Sequence, residues 1–421
     1  MKMPDLKVSS FRKHNFFGEK LIKITSKSQN VLLKDGALTK PKDTRSKKIA
    51  NALVEGETIK KLYSFSDELY CFTSGRRLLK LDGQSFSGVA EFDSDTLPCA
   101  VNLLKNGENR LLFTTDTNSL IVKENGEVEV LSSPLGSRAV LFGGMLFVAK
   151  DNSVKFSALF SHTDFSSGID NGGFITTDAA YGKIVALVPR KDKLLVFCKH
   201  AIYELIPFGE RTDYKLKKYD LSRLLILEGT IGDICDGVAF MNGDRLTVFK
   251  NGELYDVNGT YELSNYTVSG DCAVDSQYYY LPVTDTEGKL LLFRYDLNDK
   301  TQSFVGLDFP VVESGGYIVK NDGVEKLGVE GEHAFPSSWE SLPTDFSSGS
   351  KKALLGFTVY SDDEATMSIS GDFGSKEFLL KSGYNEKQFN LTSNEFVFSI
   401  KSDSEKFKIR NVSIVYRIKE G

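Results

Sequence analysis

The side chains that could do chemistry are few and scattered. Four histidines, His14, His162, His200 and His333, stand far apart, and no two fall at the i, i+4 spacing of the H-E-x-x-H zinc motif. The many serines include no G-x-S-x-G elbow that would expose a nucleophile. Carboxylates lie close in sequence at three places: Asp93 with Asp95, Asp285 with Glu287, and Asp362-Asp363-Glu364. A carboxylate pair hydrolyses glycosides when a set separation and one raised pKa give the two groups different roles. Neighbours on solvated turns supply neither. The S-x-D-x-G-x-x-W box of sialidases does not occur, and Trp339 is the single tryptophan. No D-x-[DN]-x-[DN]-G loop offers calcium its six to eight oxygens. Gly371-Asp372-Phe373-Gly374-Ser375-Lys376 lacks the four-residue gap of a phosphate-binding P-loop and reads as a turn. Asn258, Asn265, Asn390 and Asn411 begin N-x-[ST] sequons, read as chance matches because Met1–Lys7 has no apolar run behind it and no secretory segment is expected. Five cysteines, Cys71, Cys99, Cys198, Cys235 and Cys272, are widely spaced with no C-x-x-C, so they read as small buried side chains in a reducing compartment. The sequence therefore predicts no catalytic residues, no cofactor and no metal.

The elements that would position any site are strands. Apolar runs of four to seven residues, punctuated by Gly, Asn, Asp and Ser, dominate the chain. Its 36 glycines and 47 Phe plus Tyr fit an all-β protein with many tight turns. Only Thr44–Leu53 and Asp220–Leu227 look mildly helical.

A strand-turn-strand phrase recurs. Leu69-Tyr70-Cys71-Phe72-Thr73 followed by Leu78-Leu79-Lys80-Leu81 returns as Leu111–Thr115 with Leu120–Val122. It returns again at Leu146–Ala149, Leu194–Phe197 and Leu246–Phe249. The spacing, about 35 to 50 residues, is that of a four-stranded propeller blade. A blade cannot bury both faces alone, so its neighbours must stack on it.

Units run Lys60–Phe92, Ala100–Ser132, Arg138–Phe165, Gly182–Tyr219, Gly232–Tyr266 and Gly270–Leu307, with a half unit at Gly315–Leu327. Six or seven blades follow. Strands expected at Leu21–Ile24 and Asn30–Leu33 are candidates to complete the last blade and close the ring. Around residues 332–350 the pattern changes to longer alternating strands, with Leu354–Tyr360, Phe396–Ile400 and Val412–Tyr416 as the best examples. These predict a small sandwich. The expected architecture is all-β: an N-terminal arm with propeller-closing strands (1–55), a six- or seven-bladed β-propeller (56–335) and a C-terminal β-sandwich (336–421).

Composition, with 41% hydrophobic and 26% charged residues, predicts a soluble globular protein, and no apolar stretch is long enough for a membrane span. The net charge of −5 is uneven. Residues 1–49 carry 13 Lys/Arg against 4 Asp/Glu, a balance of +9 that leaves −14 on the rest. Such an arm could dock on an acidic neighbour or touch nucleic acid, but it lacks interleaved aromatics for base stacking.

Several phrases together resemble one family. They are Leu146–Ala158 with Thr163-Asp164-Phe165; Lys183–Leu187 with Leu194–Phe197 and Ala201–Leu205; Gly237–Phe240 through Asn251–Asp256; Trp339–Ser341 through Lys351-Lys352 to Val412–Arg417; and Val31–Leu38. In this order they are similar to the tail accessory, nozzle or stabilisation β-propeller proteins of short-tailed bacteriophages and related prophages. The ending Arg417-Ile418-Lys419-Glu420-Gly421 departs from the Gly-rich, Arg-bearing ending usual there.

The resemblance implies a non-enzymatic virion structural protein of the tail or neck, made in the host cytoplasm. Copies would form a ring, a hexamer by analogy, that extends or stabilises the DNA-exit channel. Its partners would be the portal, the adaptor or other tail proteins, with DNA passing transiently. An acidic body would let DNA slide, because it offers phosphate no cations to hold. Two other readings stay open. One is a host-surface glycan-binding tail protein, motivated by the sandwich and by Tyr278-Tyr279-Tyr280. The other is a propeller glycosidase.

Overall fold

The computed structural model describes residues 12–15, 25–34, 36–41, 45–53, 56–65, 68–105, 108–166, 172–207, 214–257, 263–307, 309–321, 323–328 and 333–419. Seven antiparallel sheets follow one another along the chain and form the blades of a propeller. Blade one is Ile59–Phe65, Glu68–Thr73, Arg77–Asp82 and Ser85–Glu91. Blade two is Cys99–Lys105, Glu108–Thr114, Ser119–Lys123 and Val128–Leu131. Blade three is Arg138–Phe142, Met145–Lys150, Ser153–Phe156 and Gly173–Thr176. Blade four is Ile184–Arg190, Lys193–Cys198, Ala201–Leu205 and Leu216–Lys218. Blade five is Gly232–Ile234, Gly237–Asn242, Arg245–Lys250 and Glu253–Asp256. Blade six is built on Tyr278–Thr284, Leu290–Asp296 and Gln302–Gly306, with Thr267–Val268 and Ala273–Val274 sharing its inner edge.

Burial explains why these runs are apolar. The second strand of a blade has neighbours on both faces, so five of the six residues of Glu68–Thr73 are buried in sequence without alternation. The outermost strand Ser85–Glu91 meets solvent and loses that pattern. Each pair of adjacent blades shares one apolar cluster. Tyr63, Tyr70 and Phe72 of blade one meet Leu111, Phe113 and Leu120 of blade two. Met145, Phe147 and Phe156 of blade three meet Leu194, Val196 and Tyr203 of blade four.

The ring closes through a strand from the far end of the chain. Blade seven consists of Val312–Glu313, Tyr317–Lys320 and Gly323–Leu327, completed by Arg45–Asn51. Ala50, Val319 and Val324 of this blade pack with Ile59, Leu62 and Leu69 of blade one. The hydroxyl of buried Ser46 donates to the carboxyl of buried Glu325, and Lys48 stands opposite Glu325 in the register.

Several sequence expectations are corrected here. Thr44–Leu53 is not helical, because Arg45–Asn51 is the closing strand. Its partner lies more than 270 residues away, so no local pattern announces the pairing. Asp220–Leu227 is likewise not helical; it is irregular backbone joined to blade five by an isolated bridge from Ile226 to Asn242. The third unit extends to Thr176, because a long loop separates Ser153–Phe156 from Gly173–Thr176. Asn30–Leu33, expected to help close the propeller, does not: Leu32–Lys34 forms a hairpin with Ala37–Thr39 in the sandwich instead, joined to Lys408–Ile418. Leu21–Ile24 lies outside the described residues.

The sandwich has two sheets. One holds Lys408–Ile418, Lys352–Ser361 and Gly383–Ser393, edged by the hairpin and by Arg12–Asn15. The other runs Thr25–Gln29, Ser337–Ser341, Phe396–Ser402, Ala365–Gly371 and Gly374–Leu380. The N-terminal segment thus supplies edge strands to both sheets. Trp339 pins one of them: it is buried, and its indole N–H donates to Thr25 Oγ1 at 2.9 Å. Leu354, Phe398 and Ile414 of the sandwich share a single core with Tyr279, Leu281 and Phe304 of blade six. The backbone N–H of Asn30 bonds the Phe304 carbonyl at 2.5 Å, so the sandwich covers the outer edge of that blade.

Candidate functional site

Topology dictates where a propeller can gather side chains. The innermost strands converge on the axis, and the loops entering them ring one mouth of the central channel. Here that mouth is a cavity of about 440 Å³ whose lining includes Lys61, Asp116, Arg138, Lys183, Glu228 and Asp271. Lys61 sits on the first strand of blade one, and Asp271 between the two short inner-edge strands of blade six, Thr267–Val268 and Ala273–Val274. Their ion pair measures 2.5 Å and reaches across blade seven. Arg138, on the first strand of blade three, reaches Glu228, in the loop entering blade five, at 2.6 Å. Lys183 holds the other oxygen of Glu228 at 2.7 Å. The Arg138 guanidinium also donates to the Val185 carbonyl at 2.7 Å and to the Ser137 carbonyl at 2.6 Å, which fixes its plane.

The electrostatics follow from this pairing. Burial opposes the charge on Lys61, but the adjacent Asp271 carboxylate more than offsets it, and the ammonium pKa is raised. Beyond the mouth, burial raises the pKa of Glu313, against the donors Ser314 Oγ at 2.7 Å and Ser64 N–H at 3.3 Å. Cys272 lines the same mouth, and burial pushes its thiol up to about 12. A thiol held protonated is a poor nucleophile. The arrangement is a brace at the mouth: its cations and carboxylates pair with one another, each pair linking blades around the mouth.

The carboxylates singled out in sequence do not join this mouth. Asp93 accepts from Asn118 Nδ2 at 2.7 Å on an exposed loop, with Asp95 two residues on. Asp285 accepts the N–H groups of Glu287 and Lys289, both at 2.9 Å, and Glu287 pairs with Lys27 of the N-terminal strand. Asp362 binds Arg410 at 3.1 Å. Asp363 accepts from Ser404 Oγ at 2.6 Å and from the Glu364 N–H at 2.8 Å, and these bonds lower its pKa. Asp363 and Glu364 edge a cleft of about 740 Å³ between sandwich and blade six, shared with Lys289 and Lys401. Gly371–Lys376 is the hairpin turn between two sandwich strands and the start of the second.

The histidines stay apart. His14 lies edge-on to Phe346 at 5.3 Å, and burial lowers its pKa. His200 Nδ1 is 2.9 Å from the Leu224 carbonyl, His162 sits in the long loop of blade three, and His333 is on a two-residue strand paired with Ser46. Among the described residues no three His, Cys, Asp or Glu side chains group as metal ligands. Cys71 and Cys198 are buried as expected, with burial pushing Cys71 to about 12, whereas Cys235 is exposed in a turn. Asn265, Asn390 and Asn411 are exposed, and Asn258 lies outside the described residues. Tyr278, Tyr279 and Tyr280 are buried within blade six and offer no stacking surface.

Sequence reading missed the mouth because its members span 211 positions, Lys61 to Asp271, with no fixed spacing. The usable signal was a lone charge in, or just ahead of, the first strand of successive blades.

No protein-family model and no curated protein matches the sequence. Among solved structures the chain is similar to BamB from Moraxella catarrhalis, at 11% identity and a TM-score of 0.40, covering 76% of this chain and 98% of that one. The propeller assignment rests on the strand order given above.

Proposed function

We propose that this protein is a non-enzymatic structural component of a bacteriophage tail or neck, present in the virion. Several copies surround the tail axis as a ring, a hexamer by analogy, and extend or stabilise the path by which DNA leaves the capsid. Portal, adaptor or other tail proteins are the neighbours this role requires.

One observation carries the reading. The phage-like phrases fall in order on strands of blades three, four and five and on both sheets of the sandwich. They are not confined to one loop or cavity. Two features support it. The channel mouth is braced by ion pairs from opposite sides, which suits a rigid spacer. The sandwich and blade six share a core, so the two parts transmit load as one body. In this role DNA passes through the lumen enclosed by the copies. Among the described residues no helix is long and apolar enough to cross a membrane.

Gradient-purified particles provide the test. Peptides of this chain are expected at a constant ratio to the portal, and antibodies against it should label the tail. Particles that lack the chain, or that are complete without its gene, would remove the proposal.

A further inference from the structure

The ion pairs of the channel mouth leave one lining charge over. Lys61 is held by Asp271, and Arg138 and Lys183 are held by Glu228. Asp116 lines the same cavity, and its carboxylate forms no ion pair among the described residues. It sits in the turn between Glu108–Thr114 and Ser119–Lys123 of blade two. Thr115 Oγ1 accepts the N–H groups of Thr117 at 3.2 Å and Asn118 at 2.9 Å, so the turn is capped without the aspartate. Lys150 Nζ goes to the Asp116 carbonyl oxygen at 3.1 Å and not to its carboxylate. Asp116 Oδ1 is buried and has no hydrogen-bond partner. A carboxylate that has lost part of its water without gaining a donor is costly, and a ligand that brings a donor offsets that cost.

The rest of the cavity says what kind of donor fits. Half-buried Leu97, Ala186 and Ile231 give it apolar walls beside the charges. Lysine and arginine lay their methylene stems along such walls and keep the charged tip on a polar partner. A cavity of about 150 Å³ takes a benzene ring, so the mouth, at about 440 Å³, admits one long side chain with water to spare. An anion is the poorer occupant, because every lining cation is already paired and Arg138 also serves the Val185 and Ser137 carbonyls. The surrounding face has the same preference. Its described loops and turns, outside the lining, carry nine Asp and Glu against four Lys and Arg. Such a face draws in a basic partner and repels phosphate.

We propose that the channel mouth is a receptor for a basic side chain, lysine or arginine, presented by a partner protein. The stem lies against Leu97, Ala186 and Ile231, and the cationic tip pairs with Asp116. The existing ion pairs stay intact and hold the walls in place. The acidic loops around the mouth orient the partner as it approaches. This assignment makes no use of the phage resemblance, so its failure leaves the tail proposal standing.

Saturation-transfer NMR titrations of the full chain test it, with N-acetyl-arginine amide as the probe. Its neutral isostere, N-acetyl-citrulline amide, is the first control and needs no variant protein. The arginine probe is expected to bind at least about tenfold more tightly than the citrulline one, since the pairing is with a charged group. Guanidinium ion alone should also be weaker by at least about tenfold, because it leaves the apolar walls uncovered. Asp116→Asn, which keeps the shape of the side chain, should weaken the arginine probe at least about tenfold and leave the melting temperature unchanged. Asp95→Asn, on the same face but outside the mouth, should change binding by no more than about twofold. No binding of the arginine probe, equal binding of the citrulline probe, or an Asp95→Asn loss as large as that of Asp116→Asn would overturn the proposal.

Discussion

Ring closure is open to a single-atom test at Ser46. Its hydroxyl is the donor that the closing strand Arg45–Asn51 gives to the carboxyl of Glu325, and both residues are buried. Ser46→Ala leaves that carboxyl short of a donor without creating a large cavity. A hydrogen bond to a charged group contributes about 1.5 to 3 kcal/mol. If blade seven opens locally, amide exchange there should accelerate about 10- to 150-fold, at 1.4 kcal/mol per factor of ten. Hydrogen–deuterium exchange read by mass spectrometry would follow peptides covering 45–51 and 323–327 against those of blades three and four. The acceleration should be confined to blade seven and its contact with blade one. The double variant Ser46→Ala/Glu325→Leu should recover most of the loss, because removing both partners leaves no buried group unsatisfied. Uniform acceleration across all blades, or none at blade seven, would refute the reasoning that this strand closes the ring.

Trp339→Ala should destabilise by about 3 to 5 kcal/mol, as large core truncations do, and should make the Thr25–Gln29 strand the first site of limited proteolysis. Blade four offers a pH test. Burial opposes the charge of Glu204, but Tyr219, Lys193 at 3.0 Å and Lys217 at 3.3 Å hold its pKa below the usual carboxylate range. Its stabilising contribution is therefore complete above the unfolded-state carboxylate pKa and is lost as pH falls through the lower folded value. Glu204→Gln should flatten the fall in melting temperature over that acid range; an unchanged profile would argue against it. At the channel mouth, a double-mutant cycle between Arg138→Ala and Glu228→Ala should give a coupling of about 1 kcal/mol or less, since both side chains are partly exposed and Lys183 remains beside Glu228.

What the sequence disclosed depended on how local the determining interaction was. The blade strands were legible because burial on both faces demands continuous apolar runs, as in Leu69–Phe72 and Leu194–Phe197. Sandwich strands such as Lys352–Ser361 were legible from their alternation. Arg45–Asn51 was not: Arg45, Lys47 and Lys48 give it a polar face, and the pairing that makes it a strand is with Gly323–Leu327. The choice between six and seven blades turned on that same strand. A strand at 30–33 was readable, but its place in the sandwich depends on Ala37–Thr39 pairing with Lys408–Ile418, far along the chain. The charges of the channel mouth had no motif, since single residues from separate blades meet only once the ring has formed.

A cryo-electron-microscopy reconstruction of the intact particle, with symmetry determined along the tail axis, tests the account as a whole. The expected result is a ring of these propeller–sandwich units around the DNA path, each with Arg45–Asn51 closing its seventh blade. A tail or neck fully accounted for by other chains, with no density matching this fold, would contradict it.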